Sequence, residues 1–452
     1  MAQAKTTPPV RSGAGLQNRH IAMIALGGTI GAGLFVGSSA AIVATGPAVL
    51  LAYVGVGALV MLVMRMLGEM VVNNPHQGSF VAYIRIAHGD RVGFTAGWLY
   101  WFFWVVVLGS EAIAGAILLQ DWINLPVWFL ALMLLAVLKA VNFAAPRVFG
   151  ECEFWLSGVK VFSILVFVGL SLLYVLHVFG PGVPVRDNLV GHGGLAPHGF
   201  LAVLSIVPTI LFSMMGAEIA TVAAGESSES EKSIDRVTRS LGLRVTLFYV
   251  LAVGMILLVA PWDTIVSGRS PFVAAMDRMG VPGAGLMMRI VVLSAILSCL
   301  NSSLYITSRV LRELAEQGDA PAALARSAGS GAPRLAITVS GLAGALVAFS
   351  SIFAPDTIFA FLLSCSGGVI LLIYSLIVTA HIVTRKAAER TGRGRFVLPL
   401  FPLSNYATIA GVAVVFGAML CNPTERMTAV ASLGTSVVCF GLASYFMMRR
   451  AD

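Results

Sequence analysis

Residues Ala25 to Gly37 read ALGGTIGAGLFVG, and five of the thirteen are glycine. The stretch lies inside an apolar run, residues 21–45, that is long enough to cross a bilayer core of roughly 30 Å at about 1.5 Å per helical residue. Helix breakers at that depth need a reason, and three present themselves. The spacing in GGTIGAG superficially matches a nucleotide-binding glycine loop, but that loop requires a preceding strand in a soluble βαβ unit, which an apolar spanning run does not supply. Gly27 and Gly31 fit the small-xxx-small spacing that lets membrane helices approach closely, which accounts for part of the pattern. The remainder points to a discontinuous helix. Consecutive glycines leave backbone N–H and C=O groups unpaired, and hydrocarbon forbids this unless the break lines a protein-enclosed polar cavity. The half-helix ends so exposed suit a carboxylate at the positive N-terminal end and an ammonium at the carbonyl end.

The rest of the chain supports a membrane setting. Of 452 residues, 58% are hydrophobic and only 11% are charged, and the mean hydropathy is +0.90; a soluble domain carries about a quarter charged residues. Apolar runs predict an all-α integral membrane protein with about twelve helices, near 21–45, 48–72, 93–119, 126–144, 152–178, 199–225, 241–260, 287–311, 334–354, 356–383, 399–420 and 427–447. The polar first 18 residues run straight into a span with no cleavage site before its glycines, so the first helix is expected to stay in the mature protein. With the N-terminus inside, the outer segments keep only Arg186, Arg269, Arg278, Arg289 and Arg426, so both termini are expected to be cytoplasmic. The net charge of +8 is then a topology signal. A nucleic-acid footprint would need a soluble basic face, and no soluble stretch is long enough to supply one. Cys152, Cys299, Cys365, Cys421 and Cys439 form no C-x-x-C pair and read as packed thiols. The segment 73–92 mixes apolar residues with Arg85 and Arg91 and predicts an amphipathic piece at the inner interface.

A second interruption falls in the sixth run, where LFSMMGAEIATVAAG, Leu211 to Gly225, places Gly216 and the ionisable Glu218 mid-membrane. The first and sixth helices each open a block of five, as a pair of inverted repeats arranges them.

Several stretches together, NRHIAMIALGGTIGAGLFVGS, GPAVLLAYVGVGALVMLVMRMLGEM, FGECEFWLSGVKVFSIL, FSMMGAEIATVAAGES and LSCLNSSLYITSRVLRELAEQGDAP, resemble the amino acid permeases of the amino acid–polyamine–organocation superfamily. The likeness runs in order over roughly residues 18–450. Within the bacterial amino acid transporter branch, LFVGSS, GWLYWFFWVVVLGSEAIAGA and FSMMGAEI look most like 4-aminobutyrate permeases. The resemblance implies a LeuT-type fold of five plus five helices with broken helices 1 and 6 and two appended helices. It divides the chain into a cytoplasmic tail 1–18, a transporter core 19–384 with repeats at about 19–178 and 199–384, a cytoplasmic loop 385–398, and helices 11 and 12 within 399–452. It further implies proton-driven uptake across a bacterial inner membrane, with no cofactor beyond the proton gradient. Carried over by motif, Thr29, Ile30, Gly31, Ala32 and Gly33 offer backbone N–H groups to the substrate carboxylate. Phe212 covers the site, and the carbonyls of Phe212, Ser213 and Met215, beside Gly216, receive the ammonium.

Three ionisable residues stand apart. Lys160 lies roughly 12 Å into the fifth helix, too deep for comfortable snorkelling. The resemblance places it beside the helix 1 break, where sodium-coupled relatives bind sodium; it reads either as the proton-coupling residue or as a static charge. Glu218 is a proton carrier, a gate element, or a carboxyl tying helix 6 to its neighbours. Glu111, in the third helix, either shapes the site or pairs with a polar neighbour. Among rival functions, a membrane-embedded enzyme would need convergent nucleophile and base groups, yet neither G-x-S-x-G nor H-E-x-x-H occurs. A channel would favour repeated pore rings. The sequence-level expectation is therefore a symporter for 4-aminobutyrate; the alternatives are alanine, glycine, serine or proline as substrate, sodium coupling or exchange, and an amino acid sensor on the same scaffold. The expected partners are a small amino acid, protons and the bilayer, without nucleic acid.

Overall fold

A computed structural model describes residues 30–74, 79–143, 146–180, 184–216, 218, 246–326, 332–390 and 398–451. Every regular element among the described residues is helical. The glycine-rich stretch opens the described part of the bundle. A π-helical turn, Gly33–Gly37, runs into α1, Ser38–Thr45, and Gly46 at φ +62° followed by Pro47 ends it. Next come α2 (Val49–Asn73), the short α3 (Phe80–His88) and α4 (Asp90–Leu119). They are followed by α5 (Val127–Asn142) and α6 (Pro146–Val175). The sixth apolar run forms α7 (Gly199–Ser205) and α8 (Val207–Ser213), and α9 spans Thr246–Val259. The remainder is α10 (Pro271–Met279), α11 (Ala284–Glu316), α12 (Arg334–Phe349), α13 (Pro355–Arg390), α14 (Leu403–Cys421) and α15 (Arg426–Ala451). Among the described residues, eight stretches are long and apolar enough to cross a membrane, and α5, α9 and the α7–α8 pair are shorter apolar helices.

Burial sorts these helices into a centre and a rim. In the most apolar window of α4, 89% of residues are buried, against 11% in α15. A helix that is apolar on all sides belongs inside a bundle, and α4 packs against α11, α12, α13 and α15. α6 buries a single stripe: Glu153, Ser157, Lys160, Ile164, Phe167, Ser171 and Tyr174 are all buried, at the helical intervals of four, three, four, three, four and three. Its opposite face presents Trp155 and Phe162 outward, as a lipid-facing surface requires.

The helix α11 outruns its hydropathy. α11 continues to Glu316, five residues past the apolar run, because Leu311 and Ala315 bury against Leu324 and Ala336. Hydropathy stops at the charges, whereas an amphipathic helix continues for as long as one face has something to cover. The segment predicted to lie at the interface forms α3, with Phe80, Val81, Tyr83 and Ile84 turned inward.

Candidate functional site

The interruption predicted in the sixth run is present. α8 stops at Ser213, and Met214 to Gly216 form a turn in which Gly216 takes φ +113°, a region that favours glycine. In the first run Ile30 and Gly31 are bent and helix begins at Ala32; the part of the expected break before Ile30 lies outside the described residues. Thr29 lies outside the described residues. The two breaks touch. A Cβ on Gly33 would sit 2.7 Å from both Cα and Cβ of Ser213, and one on Gly31 would sit 2.6 Å from Cys299 Sγ and 2.7 Å from Glu111 Oε1. The missing side chains are what let the first break pass against the second and against α4 and α11. Packing and interruption are therefore one requirement at these two glycines.

The Ala32 N–H, in the first turn of the half-helix, has no partner within its own helix. It donates to Glu111, 3.0 Å to Oε1 and 3.1 Å to Oε2. A carboxylate thus already sits at the positive end of the half-helix, where backbone donors and the helix dipole favour an anion. Glu111 comes from the buried middle of α4, and the Cys299 thiol of α11 lies beside it.

Across from it, the carbonyls of the second break also have protein donors. Met215 N–H reaches the Phe212 carbonyl at 3.4 Å, and the Tyr249 hydroxyl donates to the Ser213 carbonyl. The Phe212 carbonyl also receives the Met214 N–H, which occupies the second of its two lone pairs. The Phe212 ring stands 6.1 Å from that of Phe103, and Met215 Sδ accepts from the Tyr374 hydroxyl at 3.5 Å. Gly31, Gly33, Phe103, Trp104, Glu111, Phe212, Ser213, Met215 and Cys299 enclose a cavity of about 20 Å³. That is room for about one water molecule.

Glu218 is tied into the wall. Its Oε1 accepts from the Tyr100 hydroxyl at 2.9 Å and its Oε2 from Gly216 N–H at 3.0 Å, so it closes the turn and fastens it to α4. Lys160 is buried on α6 with Nζ 3.9 Å from Glu153 Oε1, within electrostatic reach of Glu111 and Cys299. Glu153 was absent from the residues singled out by sequence, although Glu153, Ser157 and Lys160 form a polar helical stripe in an apolar run. Tyr100, Tyr249 and Cys299 carried no sequence signal, since an isolated aromatic or thiol in a hydrophobic helix looks like core.

Ion pairs close both ends. At the end where α4 begins, Arg85 pairs with Asp319 and, at 3.1 Å, with Asp90. Nearby, Glu69 accepts from Leu398 N–H at 2.7 Å and approaches His381 and Arg385. Where α4 ends, Arg289 bridges Asp121 at 3.2 Å and Asp277 at 2.8 Å. These residues line a pocket of about 220 Å³ together with Val36 and Ala114.

A polytopic helical bundle in which the start of one half-helix, at Ala32, meets the end of another, at Ser213, beside a small cavity is the build of a membrane carrier. The chain belongs to the amino acid permease family, whose model matches residues 20–447. It is 41% identical over 409 residues to the gamma-aminobutyric acid permease of Bacillus subtilis, covering 89% of this chain and 87% of that one. It is 40% identical over 439 residues to a probable GABA permease of Pseudomonas aeruginosa, covering 95% and 92%. A crystal structure of a mutant manganese transporter of Eremococcus coleocola shares the fold, with a TM-score of 0.58 at 16% identity over 96% of this chain and 95% of that one.

Proposed function

We propose that this permease imports 4-aminobutyrate by alternating access, driven by an inward proton gradient across a bacterial inner membrane, with both termini inside. The observation that carries this reading is the carboxylate of Glu111 on the Ala32 N–H. A half-helix terminus that holds one carboxylate is built for another, and the substrate carboxylate replaces that of Glu111 there. The ammonium goes to the carbonyls of Phe212, Ser213 and Met215, the Phe212 carbonyl giving up one of its two backbone donors, with Thr29, Ile30, Gly31 and Gly33 completing the cradle and Gly216 giving the turn its shape. Names of the similar permeases support the choice of 4-aminobutyrate. With about 20 Å³ between the breaks, the molecule is closed around its site. Substrate entry requires the breaks to part, as in rocking of one repeat against the other.

Lys160 carries the coupling proton in this reading. It brings a positive charge near the first break, so sodium is not needed there. Purified protein in proteoliposomes is offered a panel of labelled amino acids, with and without an inward proton gradient, in sodium and in choline. 4-Aminobutyrate is expected to accumulate under the gradient in both salts. Lys160→Ala is expected to abolish that accumulation while substrate binding stays measurable. Uptake that vanishes in choline at constant gradient replaces the proton by sodium, and accumulation undiminished in Lys160→Ala removes the lysine from the coupling role.

A further inference from the structure

We propose that Glu153 is the second station of the proton path, taking the proton from Lys160 and passing it toward the end of the bundle where α6 begins. The proposal rests on the proton-coupled reading above. Helical side chains lean toward the N-terminus of their helix, so Lys160 reaches back down α6 and brings Nζ to 3.9 Å from Glu153 Oε1, two turns earlier. Both side chains are fully buried.

The carboxylate is incompletely satisfied. Oε1 accepts from Ser298 Oγ of α11 at 2.6 Å and, at the limit, from Ser157 Oγ at 3.5 Å. Oε2 is buried and has no hydrogen-bond partner. A charge pair kept only for structure is expected to close to about 2.7–2.9 Å and to fill its remaining lone pairs, because a buried ion pair that fails to do so does not recover its desolvation cost. Here the ions stand apart and one oxygen is open. The step that fits is Lys160 –NH3+ plus Glu153 –CO2− giving –NH2 plus –CO2H. One N–H bond breaks, one O–H bond forms, and the net charge is unchanged, while two buried charges become two neutral groups. Water at the inner end then takes the proton from Glu153. The other groups facing the pair are Glu111 from α4, in reach of Lys160, and Cys299 from α11, in reach of both. Lys160 therefore stands between the carboxylate at the substrate site and the carboxylate further down α6.

The test uses full-length protein in proteoliposomes with a pH-sensitive dye inside and labelled 4-aminobutyrate, or the amino acid that the uptake panel selects instead. Counterflow without a pH gradient reads substrate movement alone; dye response and gradient-driven accumulation read the proton. In Glu153→Gln counterflow is expected to persist while proton entry slows by about a hundredfold or more, the size of a lost general acid–base group. Glu153→Asp is expected to restore part of it. Ser298→Ala, which removes a donor and no titrating group, is expected to move the pH profile of accumulation, and this holds the proposal to account if Glu153→Gln does not fold. Accumulation in Glu153→Gln equal to wild type, loss of counterflow together with proton entry in that folded variant, or an unmoved profile in Ser298→Ala would each overturn the relay. Wild-type protein that moves no proton with substrate overturns the coupled reading itself, and the relay with it.

Discussion

Gly31 and Gly33 sit two residues apart in one motif but meet different surroundings. The space beside Gly33 is filled by the backbone of Ser213, whereas that beside Gly31 is filled by the thiol of Cys299 and the carboxylate of Glu111. Backbone cannot move without its helix, and side-chain ends can. Gly33→Ala is therefore expected to destabilise the protein by about 1–3 kcal/mol, the cost of overpacking, with monodispersity on size exclusion and transport falling together. Gly31→Ala also meets the Cβ of Cys299 at 2.8 Å, which moves only with α11, so it is expected to lose stability too, though less than Gly33→Ala, and to bind substrate more weakly because the displaced carboxylate and thiol crowd the cradle. Equal stability of the two variants would refute this division. Glu111 gives a second residue-scale prediction. Its ionised form holds the Ala32 N–H against the substrate and its protonated form holds it less well. Glu111→Gln, which removes the charge that competes for that N–H, is thus expected to bind substrate more tightly than wild type, as read by scintillation proximity; unchanged affinity would mean that Glu111 does not compete with the substrate there.

At the scale of elements, α4 acts as the post to which the broken sixth helix is fastened. Tyr100 donates to Glu218 and Glu218 accepts from Gly216, so one hydroxyl fixes a carboxyl that in turn fixes a helix turn. Tyr100→Phe keeps the ring stack and removes the donor. It is expected to lower the thermal midpoint in detergent, with a loss of about 1.5–3 kcal/mol if Glu218 is ionised, the range for hydrogen bonds to charged groups. An unchanged midpoint would mean that another donor serves Glu218. The interruptions themselves were legible in sequence because glycine and an ionisable residue at bilayer depth have few tolerable explanations. The length of α11 was not, since hydropathy cannot see that Leu311 and Ala315 have Leu324 and Ala336 to cover.

For the whole molecule, the alternating access proposed above requires the ion pairs at the two ends of α4 to open in turn. Arg289 holds Asp121 and Asp277 together in the wall of the pocket that Val36 also lines, at the outer end in the proposed orientation. Arg289→Ala is expected to open that end. In a background with the native cysteines replaced, a cysteine put at Val36 in the pocket is expected to react faster with a membrane-impermeant thiol reagent when Arg289 is removed. Equal labelling rates would place the outer closure elsewhere.

Taken alone, the sequence determined that this chain lives in a membrane, that it is helical, and where two of its helices are interrupted, because bilayer thickness and backbone hydrogen bonding leave so few solutions that composition and periodicity select among them. It also singled out Lys160, Glu111 and Glu218, since an ionisable group is conspicuous in an apolar run. Only the tertiary structure decided who meets whom: that Glu111 lies on the Ala32 N–H, that Gly33 passes against Ser213, that Tyr249 claims the Ser213 carbonyl, and that Lys160 reaches Glu153 rather than standing alone. Those pairings join residues tens to hundreds of positions apart or two turns along one helix. They depend on how the helices rotate and pack, which a pattern read along one chain does not contain.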